Sequence, residues 1–245
     1  MIVLGVDVGG SSIKAALVDT ALGELIGPAV SVPTPEPSTS EGIVQAILEL
    51  TKQFGASGPV GVAFPTVIKH GTIHTAANID RRNIGVNIEQ LTQQVLGRPV
   101  LYLNDADAAG IAEMRFGAGA GHRGTVLVLT FGTGIGTALF YEGQLVPNTE
   151  LGHLQVDGRE AEHIASGRAR AEQGLDWPAW AERVNRVLHE YHSLLWPDVF
   201  ILCGGVTEHY AAFSHLLDSA ALILPAKFRA QAGIVGAGLA AATRA

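Results

Sequence analysis

The sequence predicts an α/β protein of two lobes with a cleft between them, and three observations lead there. Short β-branched runs alternate along the chain with stretches of helical periodicity. A strand, a glycine turn and a second strand open each half, at residues 2–18 and again at residues 126–141. The composition, 47% hydrophobic against 16% charged over 245 residues, supplies a large core and excludes a disordered chain.

The first lobe reads in order. Residues 2–8 form an apolar, β-branched run that stops at Gly9-Gly10-Ser11-Ser12, and residues 13–18 follow at once, which makes an antiparallel hairpin about a tight turn. A third strand is expected over residues 25–32. Pro33, Pro35 and Pro37, with Thr34, Ser38 and Thr39, then make an extended connection. Ser40 is the expected cap of a helix to Phe54, with Ile43, Ile47, Leu50 and Phe54 at helical spacing. Residues 59–64 read as a buried strand, 86–96 as a helix stopped by Gly97, and 100–103 as a strand ending in Asn104-Asp105. The order β-β-β-α-β-α-β is that of one half of a ribonuclease-H-like fold.

The second lobe opens the same way. Residues 126–130 are a strand, Gly132-Thr133-Gly134 a turn and residues 136–141 another strand. Set over each other, residues 7–17 and 130–140 both read polar residue, glycine turn, apolar strand, an internal repeat. Asp176 caps a long helix through Trp196, with Pro178 in its first turn and Trp180, Val184, Val187, Tyr191 and Leu194 on one apolar face. Residues 198–202 form a strand ending at Cys203-Gly204-Gly205. The small, apolar residues 233–242 form a helix that returns to the first lobe. The expected lobes are residues 1–106 with 233–245, and residues 107–232.

Charge and cysteine content narrow the function. A net charge of −7, from 16 basic and 23 acidic residues, argues against nucleic-acid and anionic-membrane partners. The single cysteine, Cys203, permits no intrachain disulfide and no Cys-rich zinc site. No run reaches the roughly 18 apolar residues of a membrane helix, and the first residues lack the pattern of a signal peptide. The expectation is a cytoplasmic protein.

Four groups of residues carry candidate chemistry. At Gly9 and Gly10 the backbone N–H groups can approach a bulky anion, Ser11 and Ser12 add hydroxyl donors, and Asp7 could hold Mg²⁺ through water. The plain alternative is a hairpin whose glycines serve geometry alone. Lys14 either neutralises phosphate charge or is a surface lysine. Thr130 with Gly132, Thr133 and Gly134 is a second loop of the same type, and two such loops can clamp a phosphate chain. Just past a strand end, Asp105 can accept a proton from a sugar hydroxyl while Asn104 orients that sugar. Asp105 or Asp107 could equally cap the helix over residues 108–116. Glu150, His153 and Glu162 offer acceptors and an imidazole to adjacent hydroxyls. Gly204 and Gly205 at a strand end could pass a nucleotide base or ribose. His163, His189, His192 and His209 are read as surface or helix-face residues.

In this order Asp7-Val-Gly-Gly-Ser-Ser, Asn104-Asp105-Ala-Asp107, Thr130-Phe-Gly-Thr-Gly-Ile-Gly and Glu150-Leu-Gly-His153 resemble the ROK family of sugar kinases. The resemblance spans nearly the whole chain and implies the two-lobed, actin-like and hexokinase-like fold with its active site in the cleft. Residues 63–71, Thr75-Ala-Ala-Asn78 and residues 151–158 are similar to the branch that uses inorganic polyphosphate, often with ATP, to make glucose 6-phosphate. The resemblance implies that Asp105 is the general base on the glucose 6-hydroxyl. It implies that Asn104, Glu150, His153 and Glu162 bind sugar hydroxyls, with Asn78 a further contact. It assigns donor phosphates and Mg²⁺ to Asp7 with Gly9 to Ser12, and to Thr130 with Gly132 to Gly134. Gly204 and Gly205 would border an adenosine, and a homodimer would be the assembly.

Many members carry a Cys-rich zinc motif between the histidine and the later glutamate. Here residues 154–161 hold no cysteine, so no zinc is expected. The chain starts at the first phosphate loop, so a DNA-binding repressor is not expected either. Arg81, Arg82, Arg115, Arg168 and Arg170 would form a basic track for polyphosphate if they faced the cleft. The expected activity is phosphoryl transfer from polyphosphate, ATP or both to glucose. The alternatives are an ATP-dependent kinase of another hexose or amino sugar, a non-catalytic sugar sensor, and an acetate-kinase-like or actin-like ATPase.

Overall fold

The computed structural model describes residues 1–55, 57–77 and 79–244. The chain divides into two compact units, Met1–Phe116 with Gln231–Ala245, and Gly117–Ala230.

The first unit runs β1 (Ile2–Val8), β2 (Ser12–Asp19), β3 (Glu24–Pro33), α1 (Ser40–Phe54), β4 (Val60–Phe64), β5 (Ile68–Lys69), β6 (Thr72–Ile73), α2 (Ile88–Leu96), β7 (Val100–Asn104) and α3 (Asp105–Phe116). Its sheet has the order β3-β2-β1-β4-β7, antiparallel through β1 and parallel beyond it. The second unit runs β8 (Thr125–Phe131), β9 (Ile135–Tyr141), β10 (Gln144–Val146), β11 (Gln155–Val156), β12 (Arg159–Glu160), α4 (Ala161–Ala165), α5 (Gly167–Glu172), α6 (Trp177–Leu195), β13 (Val199–Cys203), α7 (Tyr210–Phe213) and β14 (Leu222–Pro225). Its sheet, β10-β9-β8-β13-β14, repeats the same pattern of senses. The internal repeat read from the two glycine hairpins is therefore a repeat of whole sheets.

Each sheet buries a helix-covered face. In the first unit Ile43, Ile47 and Leu50 of α1 join Leu4, Val6, Val62 and Phe64 in one core. In the second, Trp180, Val184, Val187, Leu188 and Tyr191 of α6 pack with Leu127, Leu129, Phe131 and Phe200. Leu194, expected on that apolar face, is instead exposed at 56% near the end of the helix, and Leu188 takes the buried position.

The last helix, α8 (Ala232–Ala241), belongs to the first unit. It lies so close to the sheet that a Cβ at Gly5 would collide with the carbonyl oxygen of Ile234, and one at Gly61 with that of Ala237. On its other side Gly236 admits the Ala108 carbonyl of α3. Backbone meets backbone at these points, which only glycine permits. The expected boundary at residue 106 falls inside α3, whose contact with α8 keeps it in the first unit.

The cap of α1 differs from expectation. The Thr39 hydroxyl, not Ser40, accepts from an N–H of the first turn of α1 (Gly42, 3.3 Å). Ser40 is turned inward, and its N–H and hydroxyl both donate to the Asn83 carbonyl oxygen at 2.7 and 2.9 Å. Asp176 caps α6 as expected, accepting from Ala179 N–H at 2.9 Å. Three two-residue hairpin turns, His70-Gly71, Glu142-Gly143 and Asp157-Gly158, have both residues in the left-handed region, the geometry that matches strand twist. No helix among the described residues is long and apolar enough to cross a membrane.

Candidate active site

In the first unit the candidate residues gather at the carboxyl ends of parallel strands, where α/β sheets bind ligands. Asp7 lies opposite Lys14 in the β1–β2 hairpin and beside Ala63 of β4, while Phe64 of β4 is level with Asn104 of β7. The register puts Asp7 and the Asn104-Asp105 pair at one end of the sheet, two strand spacings or about 10 Å apart.

Asn104 is the cap of α3. Its carbonyl oxygen accepts from Ala106 and Asp107 N–H at 2.8 and 3.1 Å, and its amide donates to the Thr66 carbonyl at 3.2 Å. The helix therefore starts at Asp105, earlier than the expected residue 108, and neither Asp105 nor Asp107 is its cap. Asp105, half-buried, stands in the first turn, where helix N–H groups favour a negative charge. Its Oδ1 accepts from Ala106 N–H at 2.8 Å. Asp107 is buried. Asn78 lies outside the described residues.

The first glycine turn is closed on itself. Gly9 N–H donates to the Ser12 carbonyl at 2.9 Å, and Thr34 donates from its hydroxyl to Gly9 O at 2.6 Å and from its N–H to Ser11 O at 3.1 Å. The N–H of Gly9 is thus engaged within the turn, and Gly10 and Ser11 form its exposed tip. Behind the turn, α8 begins against Asp7: a Cβ at Gly233 would stand 2.9 Å from the Asp7 carboxyl carbon. Burial pushes the Asp7 carboxyl above the usual carboxylate range, and the Lys14 charge partly opposes this. A half-buried carboxylate incompletely compensated by one lysine fits a divalent cation held through water.

In the second unit Thr130, one residue before the end of β8, lies beside Cys203 of β13. The loop after it is pinned by Gly132 N–H to Gly134 O and by Arg168 N–H to Gly132 O, both 3.0 Å. Gly204, at φ 93°, packs against the Phe131 backbone, so the fold itself requires glycine there. Gly132 and Gly205 are different. Neither is in the left-handed region, and a Cβ on either would meet nothing within 4 Å.

The Glu150-Leu-Gly-His153 turn is fastened to β9. Thr137 donates to Thr149 O at 2.7 Å and accepts from Leu151 N–H at 3.2 Å. Gly152 is there because a side chain would strike the Ile135 carbonyl. From below, the buried Tyr191 donates its hydroxyl to Leu151 O at 2.8 Å. The turn holds His153 among carboxylates: Nε2 is 3.7 Å from Glu150, and Nδ1 is 3.1 Å from Glu160 and 4.0 Å from Glu162. The Glu160 hydrogen bond is the largest cause of a His153 pKa above its ordinary value; nearby Glu162, Glu160 and Glu150 charges add to it against burial. Burial raises the Glu150 carboxyl, with His153 opposing and Glu162 reinforcing. Ligand atoms of His153, Glu160 and Glu162 lie within 4.8 Å of one another, a spacing that their own hydrogen bond and ion pairs account for. Glu162, in the first turn of α4, lies over Gly134 so closely that a Cβ there would collide with its Oε2.

The structure brings Glu150, His153 and Glu162 near one another and adds Glu160, which the sequence reading did not name. The signal available was Asp157-Gly158, a hairpin dipeptide that folds β12 back on β11 and pairs Glu160 with Gln155. Of the five arginines considered for a basic track, Arg82 is held by Asp80 at 2.6 Å and Arg170 lies 3.5 Å over the Trp177 ring. Arg168, exposed at the start of α5, adjoins the Gly132 loop through its backbone.

The chain belongs to the ROK family, whose model it matches over residues 3–173. It is 44% identical over 237 residues to the polyphosphate glucokinase of Mycobacterium tuberculosis (strain ATCC 25618 / H37Rv), covering 96% of this chain and 89% of that protein. Its fold matches the inorganic polyphosphate/ATP-glucomannokinase of Arthrobacter sp. strain KM with a TM-score of 0.94 at 43% identity, over 100% and 99% of the two chains. It also matches a ROK family glucokinase from Streptomyces griseus solved with glucose and AMPPNP, with a TM-score of 0.84 at 28% identity, over 99% and 100%. The fold is the actin-like one of these sugar kinases.

Proposed function

We propose that this chain transfers a phosphoryl group from polyphosphate, ATP or both to the 6-hydroxyl of glucose. The observation that carries the reading is the contact of Glu162 with Gly134. A cluster suited to sugar hydroxyls abuts a loop suited to phosphate within one unit, and in-line transfer requires acceptor and donor side by side. The names of the relatives that cover nearly the whole chain support the same reaction.

In this mechanism Glu150, His153, Glu162 and Asn104 fix the sugar, with Asn78 a further contact. Asp105 accepts the proton of the 6-hydroxyl as that oxygen forms its bond to the terminal phosphorus, and the bond to the departing phosphate breaks. Asn104, by capping α3, sets the position from which Asp105 acts. Gly10, Ser11 and Ser12 in one loop, and Thr130 with Gly132 to Gly134 in the other, meet the negative charge of the donor. Lys14 answers the charge of Asp7 across the hairpin. Asp7 is the residue that would hold Mg²⁺ through water, and the chemistry that ion supplies is neutralisation of donor phosphate charge. Gly205 gives an adenosine room to approach.

The test is a coupled assay of glucose 6-phosphate formation with polyphosphate and ATP compared at fixed glucose, and with mannose as a second acceptor. Product from glucose with at least one donor is expected. No product with either donor would overturn the reading.

A further inference from the structure

Glu160 belongs to no motif that the sequence offered for chemistry, yet it makes the shortest contact to His153, 3.1 Å from Oε2 to Nδ1. Its position is built. The Asp157-Gly158 turn returns β12 antiparallel to β11, Val156 faces Arg159, and Gln155 faces Glu160. Ala161 N–H then donates to Leu154 O at 2.9 Å, closing the hairpin one residue after His153 and one after Glu160. Val156 and Ala161 are buried in the core of the unit, so the hairpin is anchored on both sides.

An imidazole that gives its Nδ1–H to a carboxylate has its ring plane fixed and presents only Nε2 outward. Here Nε2 is directed toward Glu150, 3.7 Å away, the other hydroxyl-binding group of the same turn. We propose that Glu160 is the positioning residue of the sugar site: it holds His153 by Nδ1 so that Nε2 serves the sugar, and it does not itself touch the substrate. This rests on the reading of Glu150, His153 and Glu162 as sugar ligands. Glu162 cannot take the same role, because its nearer approach to Nδ1 is 4.0 Å and its other oxygen is turned to Gly134. His163 approaches Glu160 only to 4.0 Å and is exposed, so it does not compete for that carboxylate.

The experiment is steady-state kinetics of the full chain with sugar and donor varied separately, for Glu160→Gln, Glu160→Ala, His153→Ala and the double variant Glu160→Gln/His153→Ala. Glu160→Gln is expected to raise the sugar KM about 10-fold, the size of one lost charge-assisted hydrogen bond, with donor KM and kcat within about twofold. In the His153→Ala background the Glu160→Gln change should add nothing to sugar KM, because the residue acts through the ring. Glucose affinity of the wild type by calorimetry should be the same with and without a chelator. An unchanged sugar KM in both Glu160 variants, while His153→Ala raises it, overturns the positioning role and leaves the sugar site standing. A Glu160→Gln effect that persists in full without His153 also overturns it, as does glucose affinity that chelation abolishes. If neither His153→Ala nor Glu150→Gln moves the sugar KM, the reading of the sugar site itself fails.

Discussion

The carboxylate of Glu162 rests on Gly134, occupying the space that a side chain at 134 would need. One residue comes from the cluster proposed to bind sugar hydroxyls and the other from the loop proposed to hold donor phosphate, so the two proposed sites meet through a missing methyl group.

Gly134→Ala is therefore expected to damage the sugar site from within the phosphate loop. The new methyl displaces Glu162, and a displacement of about 1 Å at a positioning group can cost about 10²-fold. Sugar KM should rise together with a loss of kcat, and Glu162→Gln should show the same sugar effect with donor KM preserved. The check is a pair of saturation curves, one in glucose and one in donor, for each variant. A Gly134→Ala enzyme with normal sugar KM would separate the two residues functionally.

Asp105→Asn tests the proposed base. Because Asn104 caps α3, the helix keeps its start when residue 105 loses its charge, and the melting temperature should fall by no more than about 2–4 °C, the size of a lost charge at a helix N-terminus. Turnover should fall by about 10²–10⁴-fold, the range of general-base catalysis, while calorimetry still shows glucose binding. Near-normal turnover would remove Asp105 from the mechanism.

Asp7 couples function to stability with a definite sign. Burial raises its folded pKa above the unfolded value, so the folded state binds the proton more tightly, and stability is lost as pH rises from the unfolded to the folded pKa. At neutral pH Asp7 therefore carries a cost that Asn does not. Asp7→Asn should raise the melting temperature at pH 7. The gap should close below about pH 4, where both side chains are neutral. The same variant should be nearly inactive, and added Mg²⁺ should stabilise the wild type more than the variant. Melting curves at two pH values, with and without Mg²⁺, give the answer. A variant less stable than wild type at pH 7 would contradict the sign.

Much of this was legible in the sequence, and the reasons differ by element. The two glycine hairpins, the buried strands and α6 announced themselves because β-branched runs and a 3.6-residue stripe are local signals. The carboxylate-histidine-carboxylate cluster was legible because its members share one short stretch of chain. The cap of α3 was not, since Asn104 and Asp105 are both good capping residues and only the backbone decides between them. The hairpin carrying Glu160 was missed because its strands are two residues long, too short for alternation to register. The close packing of α8 on Gly5 and Gly61 joins residues distant in sequence, and no local pattern encodes that contact.

Gly132 and Gly205 offer the means to separate the two donors. Each is a glycine that the protein does not demand, neither left-handed nor crowded within 4 Å, so alanine at either position should leave folding intact. Gly132 lies in the loop assigned to phosphate, which both donors share; Gly205 lies at the end of β13, assigned to adenosine, which polyphosphate lacks. Gly132→Ala should then raise KM for polyphosphate and ATP alike, by about 10-fold or more where a methyl blocks a close backbone approach. Gly205→Ala should raise KM for ATP alone. Donor saturation curves at fixed glucose, with melting temperatures as a control for folding, measure both. If Gly205→Ala weakens polyphosphate as much as ATP, the end of β13 serves the phosphate chain and not the nucleoside, and the two glycines form one donor site with a single specificity.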